Sequence, residues 1–547
     1  MAGPTRSAAA QESTPARNLV YRDFLRRILA RFRGHHHQFL NQSVPGFQIH
    51  HDPSLDGPWH WAQLGVLLLP FSPVLGGIAW LVALVWTTRL RGDRWGRDRL
   101  YQGGLILAVG MMISASLAAY PGMAWLGLAN FLPCFWFFAA VRTLVQSPRQ
   151  LRHLAQLQVY SAVPIVILGL LALGGLLSGP VNLSVVVQWP LEAGGTPAGR
   201  MAAVFAYANV LASYLVVTLG LGLGLGLEAW QRRFFKQSPT KSPTKSQTQA
   251  QGRSLQQSQT QSQQKSQQKS QTQPQETSQT QSPEHQPDPT QATNPDRPQP
   301  PPPKPLNGFL LGGAIALQSI GLLLTHSRNA WGVGLLLGLA TAVRLRWFWL
   351  LWSAVGAVAA VFWAAFGSVG QGVLQQLVPR FIWARLNDEL YGDRPPAELR
   401  TSQWQFAWDL TQQRPWTGWG LRNFTPLYET ATGFWLGHPH NFFLMLSAEV
   451  GLPLTLGFMG FVGWILAQGV MQGRSGLHTT TPRTHTFDPD RAILLTYLLT
   501  FGGCILFNCL DVTFFDYRIN LTNWLLLGVI AGVSNPYSQT GDKKKGK

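Results

Sequence analysis

The sequence predicts an all-α, polytopic membrane protein of about twelve transmembrane helices, and three observations predict it. Only 12% of the 547 residues are charged and 46% are apolar, whereas soluble domains carry about 25% charged residues. Several apolar runs approach or exceed the ~18–20 residues needed to cross a bilayer. The lysines and arginines fall mostly between those runs, as the basic bias of cytoplasmic loops requires. The net charge of +19 and pI near 10.3 therefore speak for topology rather than for nucleic acid. Cys134, Cys504 and Cys509 lie in or at the ends of apolar runs. They read as small buried hydrophobes, not as a disulfide or metal framework.

Residues 1–57 are basic and polar and read as a cytoplasmic segment without a cleavable signal peptide. His35–His37 within it read as a solvated or headgroup patch. Residues 58–228 read as an N-terminal transmembrane bundle. Its first run, Trp59 to Trp86, is broken by "PFSP" (Pro70–Pro73) and has basic clusters on both flanks. Two short spans turning at the prolines keep both clusters on one side. Spans near 103–120, 122–141, 158–178 and 202–227 follow. The last carries "GLGLGLGLE" (Gly220–Glu228), whose small-xxx-small pairs suit close helix packing. No GK[ST] follows, which removes a phosphate-binding loop.

Residues 229–306 read as a disordered cytoplasmic linker rich in Gln, Ser, Thr and Pro, too polar to bury a core. Transmembrane helices resume over 307–366, turning at "THSRNAW" (Thr325–Trp331). Residues 367–440 read as a long outer-face loop, and a loop of that length usually has structure or function. Its part 367–438 balances six arginines with six acids. C-terminal transmembrane helices occupy 441–533, and 534–547 is a basic cytoplasmic tail, so both termini lie inside.

Four polar features then gather on the outer face: Arg200, Arg328, "GWGLRNF" (Gly418–Phe424) and "HPHN" (His438–Asn441). Outer-side arginines run against the charge bias. They either snorkel to headgroups or grip a phosphate, which guanidinium binds bidentately. In "HPHN", Pro439 suits the first position of a helix, placing His438 as a cap and His440 in the first turn. Two residues apart on a helix point about 200° apart, a poor chelate, so no metal site is expected. A neutral histidine at an aqueous mouth serves as a general base. A histidine that merely caps or hydrogen-bonds the loop is the alternative, and the residues alone do not choose. Glu449, nine residues beyond His440, reads as structural.

The order of motifs adds a resemblance. "GRMAAVFAYANVLASYL" (Gly199–Leu215), "HSRNAWGVGLLLG" (His326–Gly338), "RPWTGWGLRNF" (Arg414–Phe424), "HPHNFFLMLSAEVGLPL" (His438–Leu454) and "FNCLDVTFFDYRINLTNWLLLG" (Phe507–Gly528) occur in that sequence. The chain resembles the O-antigen ligase and O-antigen polymerase superfamily of bacterial membrane glycosyltransferases, over roughly 199–533. The resemblance implies a GT-C-like fold in the bacterial inner membrane. It implies transfer of a glycan from an undecaprenyl-diphosphate-type carrier to an acceptor hydroxyl of a glycan or lipid, with no cofactor. By the same resemblance Arg200 and Arg328 hold the diphosphate, His440 is the base with Asn441 beside it, and Arg422 contacts donor or glycan; Asn441 and His438 are taken with the arginines as substrate-binding residues. "AYANVL" (Ala206–Leu211) departs from the family in lacking the proline of its NPN-like motif. The chain also resembles cyanobacterial members described as bicarbonate transporters, so a multi-pass transporter is the rival reading. A carrier should place ionisable groups at mid-membrane in broken helices, and the apolar runs are nearly free of them. A non-catalytic partner in polysaccharide export is the third.

Overall fold

The structure, a computed structural model, describes residues 52–177, 179, 181–184, 187–237, 308–384, 395–475 and 488–534. The expectations for the N-terminal segment up to residue 51, for linker residues 238–306 and for the tail from 535 lie outside them. Residues 50–235 and 305–547 group into one compact unit.

Among the described residues the fold is helical, with one short β-hairpin. Helices α1 (Asp56–Leu68) and α2 (Pro73–Arg91) form the expected hairpin at the prolines. Ser72 caps α2, its Oγ accepting from Leu75 N at 3.2 Å, and Pro73 occupies the first turn, where its missing N–H costs nothing. The helices touch so closely that a Cβ on Gly76 would stand 2.4 Å from Leu69 Cα. Next come α3 (Arg99–Ser116), α4 (Pro121–Gly127), α5 (Leu132–Leu144) and α6 (Pro148–Leu173). Strands β1 (Val181–Ser184) and β2 (Val187–Trp189) pair antiparallel, and Trp189 Nε1 ties them to Phe71 O at 2.8 Å.

Helix α7 (Ala208–Gln237) begins later than the span expected from residue 202. Residues 201–205 instead form a buried turn. The glycines of α7 allow close packing: a Cβ on Gly224 would lie 2.1 Å from Thr496. Then follow α8 (Gly308–Leu324), α9 (Arg328–Arg344) and α10 (Phe348–Phe366).

The described residues of the expected long loop include four α-helices, α11 (Gln371–Leu377), α12 (Arg380–Trp383), α13 (Arg400–Gln413) and α14 (Phe424–Thr432). Ala407, Leu410, Phe424 and Tyr428 form a small core against Ala448 of α15 (Phe442–Val450). The chain ends with α16 (Leu452–Ser475), α17 (Pro489–Asn508) and α18 (Tyr517–Val533).

Among the described residues seven helices are long and apolar enough to cross a membrane: Pro73–Arg97, Pro121–Leu144, Pro148–Leu173, Ala208–Arg232, Phe348–Phe366, Leu452–Gly473 and Pro489–Asn508. The protein is a polytopic helical membrane protein. The other expected spans are helices of 13 to 18 residues. At one end of the bundle, Arg152 of α6 joins Glu228 of α7 at 2.8 Å and Asp490 of α17 at 2.6 Å. At the opposite end, the starts of α7, α9, α15 and α18 gather four loops.

Candidate functional site

The first loop is fixed by its backbone and by its arginine. Met201 N donates to Leu324 O at 2.9 Å, and Arg200 Nε donates to Thr325 O at 2.8 Å. Arg200 thereby sits against the turn that starts α9. Its guanidinium donates again, to Asn209 Oδ1 at 2.5 Å. Asn209 Nδ2 donates in turn to Asp511 Oδ2 at 2.6 Å. The loop that carries Asp511 is clamped to the start of α7: Thr513 Oγ1 donates to Ser213 Oγ at 3.1 Å, and Arg518 donates to Val204 O at 3.0 Å. The Arg518 guanidinium lies 4.0 Å from the Phe205 ring centroid.

His440 meets the other oxygen of Asp511, with Nδ1 3.0 Å from Oδ1. Val512 N donates to the same oxygen at 2.9 Å. Asp511 is buried, and its carboxyl is held below the ordinary aspartate value. Burial alone would raise it, but the hydrogen bond from His440, the two neighbouring imidazoles and Val512 N–H outweigh that. An ionised Asp511 only accepts, so the Nδ1 of His440 carries a proton, and in the neutral imidazole the lone pair then lies on Nε2.

The histidine loop differs from the sequence expectation. The cap of α15 is Asn441, whose Oδ1 accepts from Phe443 N and Leu444 N, each at 3.0 Å. The helix begins at Phe442. His440 therefore precedes the helix, with a left-handed φ of 53° rather than a helical one. Asn wins the cap because its short amide reaches two orphan N–H groups at once. His440 N donates to His438 Nδ1 at 3.2 Å, and the two rings stand 4.6 Å apart at 80°. Burial, then the neighbouring His440, pushes His438 down to about 4. His438 is therefore neutral at pH 7. It stacks on Phe515 at 17° and 6.0 Å.

Arg422 approaches the same ring from elsewhere, its guanidinium 5.7 Å from the Phe515 centroid. Its Nε is buried and finds no hydrogen-bond partner among the described residues. The "GWGLR" turn is pressed onto α15: Trp419 N donates to Ala448 O at 2.9 Å and Gly420 N to Glu449 O at 2.7 Å. Gly418 has φ 66°, and a Cβ there would lie 2.4 Å from Glu449 backbone atoms. Glu449 is buried and engages the Arg422 and Phe424 backbone, the structural role expected of it.

Arg328 stands exposed at the first position of α9, three residues beyond Thr325. Its neighbour Asn329 donates to Phe507 O at 2.7 Å, which ties α9 to the end of α17. Arg200, Asn209, Asp511, His440 and His438 thus form one continuous chain of hydrogen bonds. Arg422 joins through Phe515, and Arg328 opens α9 beside Asn329. Five non-glycine residues among those described have positive φ. Four of them, Ala203, His326, Arg422 and His440, lie in or beside these loops. Such conformers cost about 1–3 kcal/mol each and collect at functional sites.

His438, His440 and Asp511 each bring a ligand atom within 4.8 Å of the others. The helical-spacing argument against convergence of the histidines therefore does not hold, because neither is helical. The surrounding charge nevertheless suits an anion. Arg200 is linked to the cluster through Asn209 and Arg422 through Phe515, the charge of Arg400 is felt at His438, and both Asp511 oxygens are already engaged. Behind the loop lies an apolar cavity of about 200 Å³, lined by Phe442, Phe443, Phe458, Phe514 and Trp524 among others.

Sequence reasoning missed Asp511. Its signal was a lone acid in "FNCLDVTFF", at the end of an apolar run where an unpartnered carboxylate is costly. Residues 313–459 match the family model Wzy_C, described as O-antigen ligase. The match spans Arg328, Arg422, His438, His440 and Asn441, while Arg200, Asn209 and Asp511 lie outside it. No curated protein matches the chain.

Proposed function

We propose that the protein, whose residues 313–459 match the O-antigen ligase family model, transfers a glycan from a polyprenyl-diphosphate carrier to an acceptor hydroxyl. The reaction takes place at the outer face of the bacterial inner membrane. The observation that carries the reading is the His440–Asp511 pair, joined through Asn209 to an arginine suited to phosphate.

Asp511 holds His440 with its free Nε2 available, the tautomer a general base needs. Nε2 takes the acceptor's proton as the hydroxyl oxygen attacks the anomeric carbon. The bond from that carbon to the diphosphate oxygen breaks, and the leaving lipid diphosphate keeps the electron pair. The anomeric centre inverts. Arg200, Arg328 and Arg422 offset the charge that grows on the diphosphate, with guanidinium forks fixed before reaction. Arg200 suits this because its Nε and one NH2 proton are already committed to the protein, which orients the rest of the fork. His438 and Asn441 hold the loop that aims His440. The apolar cavity beside Phe442 and Phe443 suits the first part of a lipid chain.

A knockout strain complemented with wild type, His440→Ala or Arg328→Ala tests the reading, with surface glycan and inorganic-carbon uptake both measured at matched expression. Loss of glycan in the knockout, restored by wild type alone, is expected. Normal glycan together with impaired carbon uptake in the knockout points to transport and overturns the reading. Restoration of glycan by His440→Ala removes only the base role of His440, and restoration by both His440→Ala and Arg328→Ala leaves a non-catalytic partner.

A further inference from the structure

Asn209 stands between two groups that the transfer reading uses for different purposes. Its amide oxygen accepts from Arg200 at 2.5 Å, and its amide nitrogen donates to Asp511 at 2.6 Å. The orientation specifies itself. Turned over, the NH2 would face the guanidinium donor to donor, and the oxygen would face the carboxylate acceptor to acceptor. The backbone around it cannot readily give way: Ala208, Leu211 and Ala212 are buried, and Ser213 is bonded to Thr513. The amide is therefore polarised between a cation and an anion along a fixed line. The far oxygen of that anion holds His440 at 3.0 Å.

We propose that Asn209 is a positioning residue that couples occupancy of the Arg200 anion site to the basicity of His440. The proposal rests on the reading of Arg200 as the diphosphate arginine. With Arg200 unoccupied, the guanidinium draws on the amide, the amide N–H draws on the Asp511 carboxylate, and Asp511 accepts less strongly from His440. An anion on Arg200 relaxes that pull. Asp511 then accepts more strongly from Nδ1–H and favours the imidazolium that proton abstraction creates. The base is strengthened when the donor's diphosphate is in place, which disfavours deprotonating an acceptor before a donor is bound. Among the described residues His438 adjoins His440, Arg400 acts on His438, and Arg422 lies across Phe515. None of these lies on the Asn209 path.

The test uses the full chain in lipid nanodiscs, ¹⁵N-labelled at histidine, with inorganic pyrophosphate as the probe. Pyrophosphate affinity is read by calorimetry. The His440 titration is read by NMR, its signal assigned by loss in His440→Ala. Wild type should show the His440 midpoint rising by about 0.5–1 pH unit with pyrophosphate, a coupling of ordinary allosteric size. Asn209→Ala should still bind pyrophosphate but lose at least half of that rise, keeping only the direct field of the anion. Asn209→Asp gives a second handle. When its carboxyl is protonated it presents the same acceptor and donor, so coupling should persist at acid pH and vanish as that proton is lost. A merely structural residue would not show that pH dependence. The proposal is overturned if wild type binds pyrophosphate without a shift at His440, or if Asn209→Ala shifts as wild type does. If pyrophosphate fails to bind, or binds wild type and Arg200→Ala alike, the diphosphate reading of Arg200 fails and the coupling fails with it.

Discussion

Asp511→Asn is the most discriminating single change, because the geometry fixes which way the new amide must lie. Oδ1 takes two donors, His440 Nδ1 at 3.0 Å and Val512 N at 2.9 Å. Oδ2 takes one, Asn209 Nδ2 at 2.6 Å. An amide can keep its oxygen where two donors converge and place its NH2 against Asn209. That choice leaves one donor pair facing each other, against two for the reverse. One unsatisfied buried donor costs about 1–3 kcal/mol, so the variant should fold with reduced stability. The His440 tautomer survives, but the charge that steadied the developing imidazolium is gone. A hydrogen bond to a charged group contributes about 1.5–3 kcal/mol, which at 1.36 kcal/mol per decade is roughly a 10- to 150-fold loss of rate. Glycan transfer in isolated membranes, at expression matched by blot and with folding checked by size-exclusion chromatography, measures it. A folded variant that retains transfer within about 3-fold of wild type, below the span a charged hydrogen bond supplies, refutes Asp511 as the partner of the base.

Other outcomes follow from the same contacts. His440→Ala should cut transfer by about 10²-fold or more, the ordinary contribution of a general base, while leaving the thermal transition little changed, since the ring is partly exposed. Gly418→Ala should destabilise by about 2 kcal/mol or more, because φ is 66° and the new methyl would meet Glu449 backbone at 2.4 Å; an unshifted melting curve would show that the turn is not pressed against α15. Stability should fall on acidification. His438 titrates at about 4 in the folded protein and near 6.5 unfolded, so between those values only the unfolded chain takes up the proton, and stability is lost as pH drops through that window. Asp511, held below its ordinary value, adds a further loss at still lower pH, and His438→Gln should flatten the first stage and, by removing one imidazole that lowers Asp511, weaken the second. Chelators should leave transfer unchanged, since the guanidinium groups around His438, His440 and Asp511 favour an anion there; inhibition by a chelator and recovery with a divalent ion would reverse that conclusion.

Much of the site could be read from single residues. Arg200, His438, His440 and Asn441 were conspicuous as polar groups at the ends of apolar runs and stand in the gathered loops, while Arg422 stands in the turn before α14. Asp511 was equally polar but stood in no local pattern that named its partner. The cap assignment failed at "HPHN" for a local reason: proline at the first helical position is a preference, and the Asn441 amide, reaching two N–H groups, outweighs it. The error carried over to the histidine pair, whose convergence depends on the left-handed turn at His440.

The membrane class and the approximate places of most of its helices could be read from the sequence alone, because the length of an apolar run is a local quantity that the bilayer reads directly, whereas the later start of α7 and the helices within 367–440 could not. The glycines of α7 likewise announced close packing without saying against what. Tertiary structure alone decided that Asp511 meets His440, 71 positions away, and Asn209, 302 positions away. Those meetings depend on which helix ends are brought side by side. That neighbourhood is set by side-chain packing between helices, here Gly224 against Thr496 and Asn329 against Phe507, and a hydrophobic pattern along one chain carries no record of it.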